Sequence, residues 1–470
     1  MNLIELHTLK AEKCRRDFSY FCKEMWESAD TSTPIWNWHM DYFCQVAQNN
    51  CMRVIRGEIK KNDLIINCPP STSKSMIFSV LLPAWLLAVK PSTRIITASY
   101  SNTIALELST KCRNLMQSDK FKLYFPLIQL KDDENSKGNY KTVQGGGRFT
   151  TSTGSNILGM HSDIIICDDI QNLDTIYSDT QRNSINNWVT GTLSTRKTDK
   201  LKTLTIYVQQ RLHQLDMTAY LLAKGGNFEH IILPAVLTPT LQPEVLKTRY
   251  IDGYLDPIRL SQEALEDVKV NLGSKNYNAQ FLQNPLDSSE SIIKEEWLQI
   301  VSAEYMESLK FTDNEYFYFL DSAYGGERAD NNVVMEVAVR GGNLYITNLM
   351  VSKDEFPALI FNIIKFATRG RKLFVEGKAS GKSIIQQLKA QTDFTILELQ
   401  PKDNKITRLN AIAPSVESKR VYIKKDSWNE RLINEVTNNY PANDDIRDCF
   451  TYAVQELLIK NKNYGKYAIS

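Results

Sequence analysis

Two short stretches of this 470-residue chain set a lysine and a serine at the start of an expected helix: "NCPPSTSKSM" at 67–76 and "EGKASGKSII" at 376–385. A phosphate-binding loop needs a strand, a tight turn and a helix N-terminus, so that backbone N–H groups and the helix dipole face the anion. A lysine then reaches the terminal phosphates, and a Ser or Thr holds Mg²⁺. The first stretch offers these parts in order, with Ser71, Thr72, Ser73, Lys74 and Ser75 as candidate contacts. Against the pattern GxxxxGK[ST], its glycine positions fall on Cys68 and Ser73, residues that resist backbone angles glycine accepts. The second stretch keeps Gly377, Gly381, Lys382 and Ser383, in a loop one residue shorter than the pattern requires.

The other half of a nucleotide site decides between them, because an apolar strand ending in acids must bind Mg²⁺ and place the attacking water. Downstream of Lys74 stands "DIIICDD", ending in Asp168 and Asp169; no such strand follows Lys382 in the same unit. Asp168 is therefore expected on the metal side and Asp169 at the water, although a buried strand ending in an Asx turn would read the same in isolation. The end of "TIYVQQRLHQLD" offers Gln210 and Arg211 to sense the terminal phosphate, and Arg148, after "QGGG", is a candidate arginine finger.

A second set of acids suggests a different chemistry. Asp321 ends the apolar run "FYFLD", Glu376 ends "KLFVE", and Asp444, Asp445 and Asp448 open the helix expected from "NDDIRDCF"; Asp330 is a further candidate. Carboxylates launched from three element ends suit two Mg²⁺ or Mn²⁺ ions that clamp the attacking and leaving oxygens of a phosphodiester. Helix capping is the plain alternative for the acids at 444–448. Lys378, Lys382, Lys402 and Lys405 are placed to meet a DNA backbone. No histidine or cysteine cluster offers a zinc site, for the eight cysteines are scattered without CxxC pairs and point to a reducing, intracellular compartment.

These residues need two scaffolds. From about 64 to 235, the apolar runs "LIINC", "RIITASY", "DIIIC" and "TLTIYVQQR" alternate with helical stretches, which predicts a parallel sheet with helices on both faces, preceded by about 65 helical residues. Residues 236–312 are proline-rich and then charged, and read as a connector. From 313 to 470, strands joined through "RGGN" precede helices, which predicts a mixed sheet. The expected division is thus 1–235, 236–312 and 313–470. "SVLLPAWLLAVK" is too short to span a bilayer and is interrupted by Pro83, and the N-terminus lacks the clean apolar stretch of a signal peptide. A net charge of +2 does not by itself name a partner.

The order "CPPSTSKS", "ASYSNTIA", "DIIICDDI", "NWVTGTLSTR", "VQQRLHQLD", "FLDSAY", "FVEG", "NDDIRD" resembles the large terminase subunit of tailed double-stranded DNA bacteriophages, from about Trp36 to Phe450. That resemblance implies a P-loop ATPase that drives DNA into a procapsid and an RNase H-like nuclease that cuts the concatemer. By position it makes Lys74 and Ser75 the phosphate and Mg²⁺ contacts and Asp168 and Asp169 the Walker B acids. It makes Gln210-Arg211 the coupling segment, and Asp321, Glu376, Asp444 and Asp445 the nuclease ligands. Its implied cofactors are ATP with Mg²⁺, or Mn²⁺ at the nuclease. Its implied partners are double-stranded DNA, the portal and procapsid, a small terminase subunit, and copies of the chain in a ring of five, in the host cytoplasm and at the portal vertex. The chain departs at Ser73, at Asn443 where His often precedes the acids, and in "NILGMHSD", which lacks an arginine before Walker B. A cellular translocase or helicase fused to a resolvase-like nuclease, and a non-catalytic DNA-binding scaffold, are the other readings of the same residues.

Overall fold

The computed structural model describes residues 3–157, 159–285, 291–322, 331–368, 372–377, 379–401, 403–439, 441 and 443–460. Its contacts divide the chain into two compact units, Met1–Val268 with Lys275–Leu286, and Lys269–Ser274 with Asp287–Ser470. The segment expected as a connector is thus shared between the two.

In the first unit, helices Leu3–Arg16, Phe18–Ala29 and Trp38–Ile55 precede the sheet. Its strands are β1 (Asp63–Asn67), β2 (Arg94–Ser99), β3 (Leu130–Asn135), β4 (Asn139–Thr142), β5 (Gly147–Ser152), β6 (Ile164–Asp168), β7 (Leu204–Gln209) and β8 (Phe228–Ile232), in the order β3-β4-β5-β2-β6-β7-β1-β8. From β5 to β8 every pairing is parallel, as the near-continuous apolar runs predict, while β3 and β4 add an antiparallel hairpin. β7 lies between β1 and β6, so the loop after β1, the acids after β6 and the glutamines ending β7 emerge at one sheet edge. The helix after the loop begins with a π-helical stretch, Met76–Leu81, before Leu82–Val89. Pro83 has no N–H to give to the carbonyl of Ser79, four residues earlier, and the Arg148 guanidinium donates to that carbonyl instead, at 2.6 Å.

The second unit holds β9 (Gln299–Val301), β10 (Tyr316–Asp321), β11 (Asn332–Arg340), β12 (Asn343–Ser352), β13 (Lys372–Glu376), β14 (Thr395–Leu399) and β15 (Val421–Lys424), in the order β14-β13-β10-β11-β12-β15-β9. β10 and β12 flank β11 antiparallel, and the remaining pairs are parallel, giving the expected mixed sheet. β11 and β12 turn through Gly341 and Gly342, whose φ values of 58° and 77° are those of a type I′ hairpin. Phe317, Phe319 and Phe374 point to the face covered by the helix Asp445–Val454, whose Ile446, Cys449 and Phe450 pack on them. Tyr318, Leu320 and Val375 point to the other face, under helices Phe356–Phe366 and Ala379–Gln391. No helix among the described residues is long and apolar enough to cross a membrane.

Candidate functional sites

The loop after β1 takes two left-handed turns without glycine. Ser71 and Ser73 take left-handed backbone angles, φ 62° and 59°, whereas Cys68 does not and is simply buried. Serine pays roughly 1–2 kcal/mol for that conformation. Thr72 turns its hydroxyl inward to the Pro69 carbonyl, 2.9 Å away. Lys74 follows at the helix start, buried, with Nζ 3.1 Å from Asp169 Oδ2. Burial alone would lower its pKa, but Asp169, Cys68 and Asp168 outweigh it and hold the ammonium above the usual lysine value.

Asp168, fully enclosed at the end of β6, accepts from Ser75 Oγ at 3.1 Å and from Ser79 Oγ at 2.7 Å. Burial, then the neighbouring Asp169, push its pKa up to about 6, against which Lys74 and the two hydroxyls pull. A carboxylate destabilised in this way, beside a hydroxyl on the loop helix, is a donor set suited to a hard cation. Asp169 bends the chain at φ 41° and joins the parts: its backbone N–H donates to Val208 O at 2.9 Å, and its Oδ1 accepts the Gln210 N–H at 3.1 Å. The Gln210 side-chain oxygen is buried and meets no donor among the described residues. Arg211 is turned to Asp216, 2.8 Å away, rather than to the loop.

Arg148 corrects an expectation. It lies inside β5, 2 % exposed, with Nε on the hydroxyls of Thr97 and Thr150 and Nη1 on Ser79 O. A side chain enclosed in this way cannot reach a neighbouring subunit's nucleotide. The preceding glycines serve close packing as well: a Cβ on Gly146 would stand 2.3 Å from Pro91 O.

The second unit gathers the other acids. Leu320 pairs with Val375 across β10 and β13, so Asp321 and Glu376 follow side by side at the strand ends and point to the face of the helix Asp445–Val454. That helix is held over β10 by its apolar side, and Asp445 and Asp448 in its first turn overhang the strand ends. Burial, then Asp448, Glu376 and Asp445, push the Asp321 carboxyl up to about 8, with Lys405 opposing. Asp445 Oδ2 accepts the backbone and side-chain N–H groups of Asn331 at 3.2 and 3.3 Å. Asp448 accepts from Lys405 Nζ at 2.8 Å and Arg408 Nη2 at 3.3 Å. Asp444 faces Lys405 and Arg447, 2.7 and 3.3 Å away.

Among the described residues, no three acidic, histidine or cysteine side chains are gathered tightly enough to hold an ion as they stand. Mutual repulsion of the four carboxylates, with the Lys405 ammonium on Asp448, opposes a tighter gathering, and an all-carboxylate set fits Mg²⁺ or Mn²⁺ rather than zinc. Asp330, Lys378 and Lys402 lie outside the described residues. Gly381, Lys382 and Ser383 form no phosphate loop: they sit in the helix after β13, and a Cβ on Gly381 would fall 1.9 Å from Glu376 O.

Sequence reasoning passed over Ser79, Arg259 and Arg408. Ser79 was within reach, because it stands four residues after Ser75 on one helical face. Arg408 follows Lys405 by one turn, is 4 % exposed over the Tyr452 ring, and its Nε and Nη1 meet no acceptor among the described residues. Arg259, in the expected connector, gave no signal.

A family model described as the terminase RNaseH-like domain matches residues 320–454. A comparison with curated protein sequences finds no match. Among solved structures, the large terminase of a thermophilic bacteriophage in complex with ADP is 12 % identical and has a TM-score of 0.52, covering 93 % of this chain and 99 % of that one. The HK97 bacteriophage large terminase is 10 % identical over 95 % of this chain and 99 % of that one, with a TM-score of 0.39. The large terminase nuclease of thermophilic phage G20c with bound magnesium is 15 % identical over 36 % and 99 %, with a TM-score of 0.28. The chain thus carries a terminase RNase H-like domain in its second unit and has the fold of a bacteriophage large terminase over most of its length.

Proposed function

We propose that the protein is a viral DNA-packaging motor with an attached nuclease, in which ATP hydrolysis in the first unit moves double-stranded DNA into a procapsid and the second unit cuts it. The observation that carries the reading is the bridge at one sheet edge: Lys74 and Gln210 both engage Asp169, while Ser75 and Ser79 both engage Asp168.

In this reading Lys74 moves from Asp169 to the phosphates, which frees Asp169 to orient a water and accept its proton. Ser75 and Asp168 would hold the magnesium that accompanies the nucleotide. Gln210, bound to Asp169 through its N–H, would report the phosphate to the end of β7. In the second unit Asp321, Glu376, Asp445 and Asp448 would hold one or two divalent ions, which supply an activated water and neutralise the charge building on the phosphodiester. Lys405 and Arg408 would meet the DNA phosphate. Portal, procapsid, small terminase subunit and a ring of five copies belong to the same proposal, carried by the likeness to large terminases.

ATP turnover and plasmid cleavage with Mn²⁺ test it together. Lys74→Ala is expected to abolish turnover and keep cleavage, and Asp321→Ala to do the reverse. Equal turnover in wild type and Lys74→Ala removes the motor, and cleavage that persists in Asp321→Ala removes the assigned ligands.

A further inference from the structure

Ser73 stands where a phosphate loop ordinarily carries glycine, in the left-handed conformation that a Cβ disfavours. Something must hold it there, and the contact that does so comes from 186 residues away in the sequence. Arg259 Nη1 donates to Ser73 Oγ at 2.7 Å, while its Nε is fixed by Asp256 Oδ2 at 2.6 Å. Asp256 is itself enclosed, 1 % exposed, and its Oδ1 accepts the backbone N–H groups of Ile258 and Arg259, so the guanidinium is presented in one orientation. The other side of the clamp is His39. Its Nε2 lies 3.2 Å from the Thr72 carbonyl and 3.3 Å from Arg259 Nη2, so one tautomer donates to the loop and the other accepts from the arginine. The Leu255 carbonyl, next to Asp256, accepts from Asn37, the cap of the helix that bears His39. Two segments of the first unit therefore converge on two adjacent loop residues.

We propose that Arg259 is a positioning residue for the nucleotide: its hydrogen bond to Ser73, braced by Asp256 and His39, holds the glycine-less loop in its phosphate-binding shape. The proposal rests on the nucleotide reading of the loop. It makes a demand that a merely structural arginine would not meet, since the need for the clamp exists only because residue 73 has a side chain. With glycine at 73 the backbone reaches the same angles unaided, and the arginine becomes dispensable for nucleotide binding.

The test is a double-mutant cycle on the full chain, read as the Kd of a fluorescent ADP analogue with Mg²⁺ and as KM and kcat for ATP. Arg259→Ala is expected to weaken nucleotide binding tenfold or more and to raise KM more than it lowers kcat. In the Ser73→Gly background the same change is expected to cost less than threefold. Arg259→Lys keeps a charge beside Asp256 but cannot also bridge to Ser73; it should behave as Arg259→Ala does and be rescued in the same way, which covers an alanine variant that fails to fold. A loss that is equally large with serine or glycine at 73 overturns the proposal, as does a full-strength Arg259→Ala. Lys74→Ala separates the two levels: if it too binds nucleotide normally, the loop is not the nucleotide site and both readings fall, whereas weak binding by Lys74→Ala with no Ser73–Arg259 coupling refutes the clamp alone.

Discussion

Replacing Asp321 by asparagine should stabilise the metal-free protein while it destroys the nuclease. In the folded chain the Asp321 carboxyl is pushed up to about 8 from an ordinary 3.8, first by burial and then by Asp448, Glu376 and Asp445. At pH 7 it is protonated when folded and ionised when unfolded. Folding must therefore drive a proton onto it, at a cost of about 4 kcal/mol, rising to about 6 kcal/mol above pH 8. The sign is that of a raised acid: no penalty where both states are protonated, near pH 4 and below, and a growing one up to pH 8. Asparagine, of nearly the same shape, never ionises and escapes the penalty. Because the chain forms two units, a single melting curve would mix them, and hydrogen exchange of β10 and the helix Asp445–Val454 reads the local opening free energy instead. In EDTA, Asp321→Asn should protect these amides more than wild type does at pH 7, and the gap should close toward pH 4. Mn²⁺ at a hundred times its Kd should add about 2.7 kcal/mol to wild type alone. Equal protection at both pH values would mean that Asp321 is neither buried nor set among like charges, and the assembly of the site would be refuted.

Four further substitutions probe the two units. Arg148→Met should destabilise the first unit by about 2–3 kcal/mol, through the buried Ser79 carbonyl it leaves without that donor and the hydrogen bonds lost to Thr97 and Thr150, yet keep ATP turnover per folded molecule, checked by denaturation alongside phosphate release. Gly381→Ala should cut DNA cleavage at least tenfold and leave ATP turnover intact, because the new Cβ must displace the Glu376 carbonyl 1.9 Å away. Asp444→Asn should retain most cleavage and Asp448→Asn lose it, measured by plasmid nicking, since Asp448 is the foremost charge acting on Asp321 while Asp444 is turned to Lys405 and Arg447.

The sheet edge of the first unit was legible because its strands are apolar and short, and because the loop bearing Lys74 follows β1 while Asp168 and Asp169 stand at the end of β6. The mixed sheet of the second unit was legible for the same reason, with Gly341-Gly342 marking the hairpin. Strands β3 and β4 were not, because "LKDDEN" and "NYKT" pair at a polar edge and carry no apolar alternation. Arg148 was misread because a run of three glycines signals a flexible loop in sequence, whereas here the chain passes close to Pro91 and Tyr140 and continues straight into a strand. The acids at 321, 376, 445 and 448 stood out singly, at element ends. Which of them meet depends on strand register and on the apolar face of one helix, and neither is written near the acids. Arg259 was invisible for the same reason: its value lies in a partner 186 positions away.

The central claim is that one chain holds divalent ions against phosphate oxygens at two separate places. Crystals grown with a non-hydrolysable ATP analogue and Mn²⁺, measured at the manganese absorption edge, test it directly. The account predicts one anomalous peak between Ser75, Asp168 and the nucleotide, and at least one more among Asp321, Glu376, Asp445 and Asp448. A map with no peak at either place, or with nucleotide bound away from Lys74, would contradict it.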